Sequence, residues 1–196
     1  MNYPTYTIVN GKRYEINTDF RVAIQCDAIA RDKTINDFER GLAIIYKLFG
    51  EKGLDDFENH NELMKKALEF LAFGKQEEIK KQDISEPDMD YIEDMDYIEA
   101  SFMSDYHIDL STTKMHWWKF FKLLNGLSNS EMGNCCVLNR VRNLRNYDLK
   151  DISDLKEREK IRKAKESVAL KSTKRENNLT KEQEESMEKL NKLLGM

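Results

Sequence analysis

The sequence predicts a mainly α protein: a helical bundle with one N-terminal β-hairpin and a charged, extended C-terminal helical arm. Three observations carry this. Charged residues make up 35% of the 196-residue chain and only two prolines and eight glycines interrupt it, so long solvated helices meet few breakers. Apolar residues recur at three- and four-residue intervals over most of the length. Only "YTIVNGKRYEI", at residues 6–16, alternates as strands do, around an Asn10-Gly11 pair that suits a hairpin turn.

Two registers compete in that hairpin. A two-residue loop pairs Val9 with Lys12. A three-residue loop pairs Val9 with Arg13 and brings Tyr6, Ile8, Tyr14 and Ile16 onto one face, which burial favours. Asn17 and Thr18 then cap a helix from Asp19 to about Ala30. Thr34 opens the next, with Ile35, Phe38, Leu42, Ile45 and Phe49 at helical spacing and Gly50 as its stop. A third runs from about Asn61 to Phe73, with Leu63, Ala67, Phe70 and Leu71 on one stripe and Gly74 closing it. Residues 1–74 form a hairpin plus helical module, and the polar stretch 75–88, which carries Pro87, reads as a linker.

An identical tandem repeat follows, "DMDYIE" at 88–93 and 94–99. Six residues rotate a helix so that matching positions fall roughly 120° apart, and the two copies cannot share a face. Tyr91, Met95, Ile98 and Phe102, drawn from both copies, give the apolar stripe by which one helix can absorb the repeat. Ser111 or Thr112 caps the next helix, where Trp117, Phe120, Phe121, Leu124 and Leu127 align with Trp118 beside them and Lys114, Lys119 and Lys122 opposite. Val137, Val141 and Leu144 mark a thinner stripe from Ser130 to about Arg145, so residues 89–149 read as an aromatic-rich helical core module. The arm, 150–196, holds a charge-dense run from Asp151 to Leu170. After a polar gap comes "TKEQEESMEKLNKLLGM", whose Met187, Leu190, Leu193 and Leu194 form a stripe suited to docking on a partner or on a second copy.

The chemistry of the chain is sparse. Glycine-rich phosphate loops, a nucleophile elbow and a His-Glu-x-x-His pair are all missing from the sequence, and no catalytic residue or cofactor is assigned. His116, Cys135 and Cys136 invite a zinc reading, but adjacent cysteines cannot easily point at one tetrahedral ion, so reduced structural thiols are expected and no metal is assigned. Asp88, Asp90, Asp94 and Asp96 invite calcium, yet the stretch lacks the glycine a calcium loop turns on. A net charge of -4 gives no global field for nucleic acid, and the local cluster Arg140, Arg142, Arg145 is more simply a solvated helix face. Stacking of Trp117 and Trp118 on bases is the weaker reading, because their spacing is that of a buried helix face. With no apolar run long enough to span a bilayer and no basic start before an apolar segment, the chain is expected in the cytoplasm.

Several blocks carry a resemblance. Ala100-Ser101-Phe102, "DYHIDL" at 105–110, "MHWWKF" at 115–120 and "LLNGL" at 123–127 are similar to the bacteriophage gene product fifteen family, as are "TDFRVAIQ", "YKLFG" and "DLKDISDLKEREKIRKAKESVAL". The duplicated "DMDYIE" and the segment beyond Leu170 depart from it. That family belongs to tailed phages and prophages of Gram-positive bacteria, siphovirus-type, with genes beside those for tail tube and tape measure. The resemblance implies a tail-assembly accessory, a chaperone binding tape-measure or tail-tube subunits in the host cytoplasm, with a place in the virion tail as the alternative. It brings no catalytic residues.

Overall fold

The computed structural model describes residues 3–74, 87–129 and 135–171. Among them are one antiparallel hairpin, β1 (Tyr6–Val9) and β2 (Lys12–Glu15), and seven α-helices: α1 (Phe20–Arg31), α2 (Asp37–Leu54), α3 (His60–Leu71), α4 (Met95–Tyr106), α5 (Trp117–Asn125), α6 (Val137–Asn146) and α7 (Leu155–Val168). The fold is mainly α with an N-terminal hairpin, as its charge-rich, breaker-poor composition requires. The chain groups into two compact units, Met1–Asp83 with Phe102–Leu127 and Ile84–Ser101 with Ser128–Met196. The aromatic helix α5, read above with residues 89–149, therefore belongs to the unit that contains the hairpin. Most of the 75–88 linker lies outside the described residues.

In the first unit the hairpin takes the register that burial counting rejected. Val9 pairs with Lys12, Ile8 with Arg13, Thr7 with Tyr14 and Tyr6 with Glu15. Asn10 and Gly11 both have positive φ, 47° and 77°, the twist of a tight two-residue turn, and this local chemistry decides the pairing. Val9 and Tyr14 are buried, whereas Tyr6 and Ile8 face solvent. Tyr14 tolerates burial because its hydroxyl donates to Asp56, whose carboxylate also accepts from Lys12 Nζ at 2.7 Å and Asn59 Nδ2 at 3.0 Å.

Asp19 caps α1 by accepting from the Arg21 N–H at 2.9 Å. α2 begins later than Thr34 suggests, because Asn36 and Glu39 form a reciprocal capping box. Gly50, at φ 67° and ψ -162°, leaves the helical path where the stop was predicted, α2 resumes across this kink, and the Leu48 carbonyl accepts from the Asn17 N–H at 2.8 Å. Phe38 is 72% exposed and does not join the stripe predicted for it, which instead buries Ile44, Ile45, Leu48 and Phe49. α2 packs on α1 and α3, and α5 packs on α1. At the centre, Phe120 stacks between Phe20 (4.5 Å) and Phe102 (5.2 Å).

In the second unit the two copies of the repeat take different structures. The first closes a single turn in which Asp90 caps Ile92 and Glu93 at 2.7 and 2.9 Å; the second begins α4. One regular helix through both copies is thus not formed. Ser101 joins α4 to α6, its hydroxyl donating to the Tyr97 carbonyl at 2.6 Å and accepting from the Leu138 N–H at 3.1 Å. Cys136 Sγ accepts from the Asn139 N–H at the start of α6, a capping role for one of the adjacent thiols. Asp154 caps α7, a helix that buries none of its residues.

Candidate functional site

The segment His116-Trp117-Trp118 binds three pieces of backbone. The expected caps Ser111 and Thr112 precede α5 by a turn of other structure, and His116 takes their place: Nδ1 accepts from the Trp118 N–H at 3.0 Å. Its Nε2 meets the Pro4 carbonyl at 2.9 Å, which requires the neutral Nε2–H tautomer. Both indoles then reach α3. Trp117 Nε1 donates to the Leu71 carbonyl at 3.1 Å and Trp118 Nε1 to the Phe70 carbonyl at 2.8 Å, supplying donors to a helix end whose own bonds have run out.

That helix end is itself unusual. Gly74 N–H bonds to the Glu69 carbonyl at 2.8 Å and Phe73 N–H to the Phe70 carbonyl at 3.2 Å, a Schellman closure in which Phe73 adopts φ 62°. A left-handed phenylalanine is costly, and stacking on Phe121 (3.9 Å) and Trp117 (5.3 Å) offsets it. Of the predicted core residues Trp117, Phe120, Leu124, Ile98 and Phe102 are buried, while Phe121 and Tyr91 are half-buried. The aromatic block is an internal clamp, with its polar edges turned to backbone.

The arginines of α6 are likewise engaged. Arg145, with a side chain 10% exposed, makes a two-pronged ion pair at 2.6 and 2.7 Å with Asp94, which is 1% exposed. It also donates to the carbonyls of Asp88 (2.9 Å) and Val168 (2.7 Å). Arg142 pairs with the Asp88 carboxylate, and Asp94 accepts in addition from the Asp90 N–H at 3.0 Å. Asp88 and Asp94, the matching acids of the two copies, thus pair with the basic helix. Arg140 is exposed.

Other candidate ligands are engaged too. Among the described residues no three His, Cys, Asp or Glu side chains come together as a metal-holding group. Cys26 is buried, and desolvation pushes its thiol up to about 12, far from a reactive thiolate. Asp56 is the opposite case: hydrogen bonds from Lys12, Tyr14 and Asn59 hold its carboxyl down at about 2. A shallow groove lined by Ile16, Val22, Tyr46, Phe49 and the acids Glu15 and Glu51 lies between the end of the hairpin and the broken α2.

Large apolar side chains are exposed as well. Ile8, Phe38, Phe57 and Leu68 are exposed in the first unit, and Ile92, Tyr147 and Leu155 in the second. Sequence periodicity could not have found these, because it ranks residues by the stripe they complete. The predicted partner-binding residues Met187, Leu190, Leu193 and Leu194 lie outside the described residues.

The sequence model described as Bacteriophage Gp15 protein matches residues 4–170, which span both units. The chain belongs to that family. The HWWKF block that carried the resemblance is, in this Gp15 protein, the clamp just described. Membership points to a structural or assembly protein of a bacteriophage. No helix among the described residues is long and apolar enough to cross a membrane. Comparison with curated proteins found no match, and comparison with solved structures found none either.

Proposed function

We propose that this protein is a non-enzymatic tail-assembly accessory factor, chaperone-like, which holds helices of the tape measure or subunits of the tail tube in the host cytoplasm. The observation that carries the reading is α7: none of its residues is fully buried, Leu155 is 75% exposed at its start, and Ile161, Ala164 and Val168 run half-buried along one edge. A helix that starts on an exposed leucine and whose apolar edge is only half-covered suits helix-in-groove or helix-on-helix recognition. The stripe of Met187, Leu190, Leu193 and Leu194 extends the same character toward the C-terminus. Family membership supports an assembly role, and the engagement of His116, Trp117, Trp118, Arg142 and Arg145 within the fold argues against catalysis or phosphate binding at those residues.

The test is co-expression with the tape-measure protein of the same phage. The tape measure should stay soluble with the intact chain and precipitate with a Leu155→Glu variant, whose site is 75% exposed. Equal solubility with and without this protein would remove the chaperone reading. Mass spectrometry of purified virions separates the remaining alternative: a chaperone is absent from the particle, whereas a structural component is present at fixed stoichiometry.

A further inference from the structure

The hairpin has two outer edges, and they are treated differently. Ile16 N–H bonds to the Thr5 carbonyl at 2.8 Å, and Val9 faces Lys12 across the turn, so the outward-pointing backbone groups belong to Tyr6 and Ile8 on β1 and to Arg13 and Glu15 on β2. On the β2 side Lys52 Nζ covers the Arg13 carbonyl at 2.6 Å. On the β1 side the N–H and C=O groups of Tyr6 and Ile8 have no hydrogen-bond partner among the described residues. Such edges are ordinarily blunted by a charge, a bulge or a covering element. This one has no charged residue from Tyr3 to Gly11, and its Tyr6 and Ile8 side chains are 44% and 58% exposed.

We propose that the β1 edge is a self-association site, which pairs antiparallel with β1 of a second copy about a two-fold axis at Thr7. The occupant follows from the register. With the axis at Thr7, the open groups of Tyr6 face those of Ile8 in the second copy, and the reverse pair forms by symmetry, so all the outward groups of both residues are satisfied. Tyr6 and Ile8 project from the same face, and each aromatic ring meets a β-branched side chain across the new pair, a favourable cross-strand match. The stretch from Tyr3 to Gly11 brings no charge of its own to the axis, and the charges beside it on β2, Arg13 over the Tyr6 ring at 3.9 Å and Glu15, are paired with each other at 2.8 Å. The result is a four-stranded sheet in the order β2-β1-β1-β2. A strand of four residues makes a small interface, so the association depends on concentration and strengthens wherever an assembly holds copies side by side. This inference is independent of the tail-assembly reading.

The experiment uses the full chain in sedimentation velocity from about 1 μM to about 1 mM, the span a small interface demands, with amide hydrogen exchange followed at both ends. The expected result is a monomer–dimer equilibrium in which the Tyr6 and Ile8 amides exchange at least about tenfold more slowly in the concentrated sample, since pairing shields them. Ile8→Glu, at an exposed position opposite Arg13, should leave the thermal melt unchanged and abolish both the dimer and the added protection; Tyr6→Lys, opposite Glu15, is the second such variant. A chain that stays monomeric throughout overturns the proposal. So does a dimer whose Tyr6 and Ile8 amides exchange as fast as in dilute solution, or one that survives both charged variants.

Discussion

Trp117 unites packing and hydrogen bonding at one position: its ring lies among Phe73, Phe120 and Phe121 while its N–H serves the Leu71 carbonyl. Trp117→Ala should therefore cost on the order of 3 to 5 kcal/mol in chemical denaturation. Trp117→Phe keeps much of the volume and loses the donor, and should cost on the order of 1 to 2 kcal/mol less than the alanine. Equal stability of wild type and Trp117→Ala would mean that the ring does not organise this unit. Asp56 supplies a pH signature. Its folded carboxyl titrates at about 2, below the ordinary aspartate value near 4, so its contribution is fully present above about pH 4 and is lost as pH falls through about 2. Thermal melts between pH 5 and pH 2 should show wild type losing more stability than Asp56→Asn, and identical slopes would refute the assignment.

Among the elements, the α4 to α6 connection rests on Asp94 and Arg145, one of the few ion pairs here that is withdrawn from solvent. Removing one partner leaves a buried charge, so Asp94→Asn or Arg145→Met alone should each destabilise by about 3 kcal/mol or more. The double variant Asp94→Leu, Arg145→Met should recover part of that loss in the same assay. Strict additivity of the single effects would contradict the coupling. This pair also explains which parts of the elements were legible in sequence. The helices with a wide stripe, α3 and α5, could be read to within a residue or a turn, because burying an apolar face dictates spacing. The repeat could not be so read: both copies have one sequence, and the matching residues Asp88 and Asp94 meet different arginines, Arg142 and Arg145. The hairpin register was misjudged for a related reason. Counting apolar side chains ignored the positive φ that Asn10 and Gly11 adopt together, and could not foresee that Asp56 would satisfy the Tyr14 hydroxyl.

At the scale of the whole molecule, charge sets what the surface can attract. A net charge of -4 with Arg142 and Arg145 paired to acids leaves little concentrated positive field, and much of the charge on α7 is internally matched, Arg162 bridging Glu159 and Glu166 at 2.7 Å. Fluorescence anisotropy of a labelled DNA duplex at about 50 mM salt should therefore stay flat on titration with the protein; a salt-sensitive rise would reinstate a nucleic-acid role. The sequence by itself determined the helical class, the buried aromatic face of α5 and the family, because composition, periodicity and short blocks of residues are all local in the chain. Only the tertiary structure decided that His116, Trp117 and Trp118 close other segments, that the two identical hexapeptides adopt different conformations, and that one hairpin edge stays open. The first two outcomes depend on partners tens of residues away and the third on finding none among the described residues, and a one-dimensional pattern contains no term for distances in the fold.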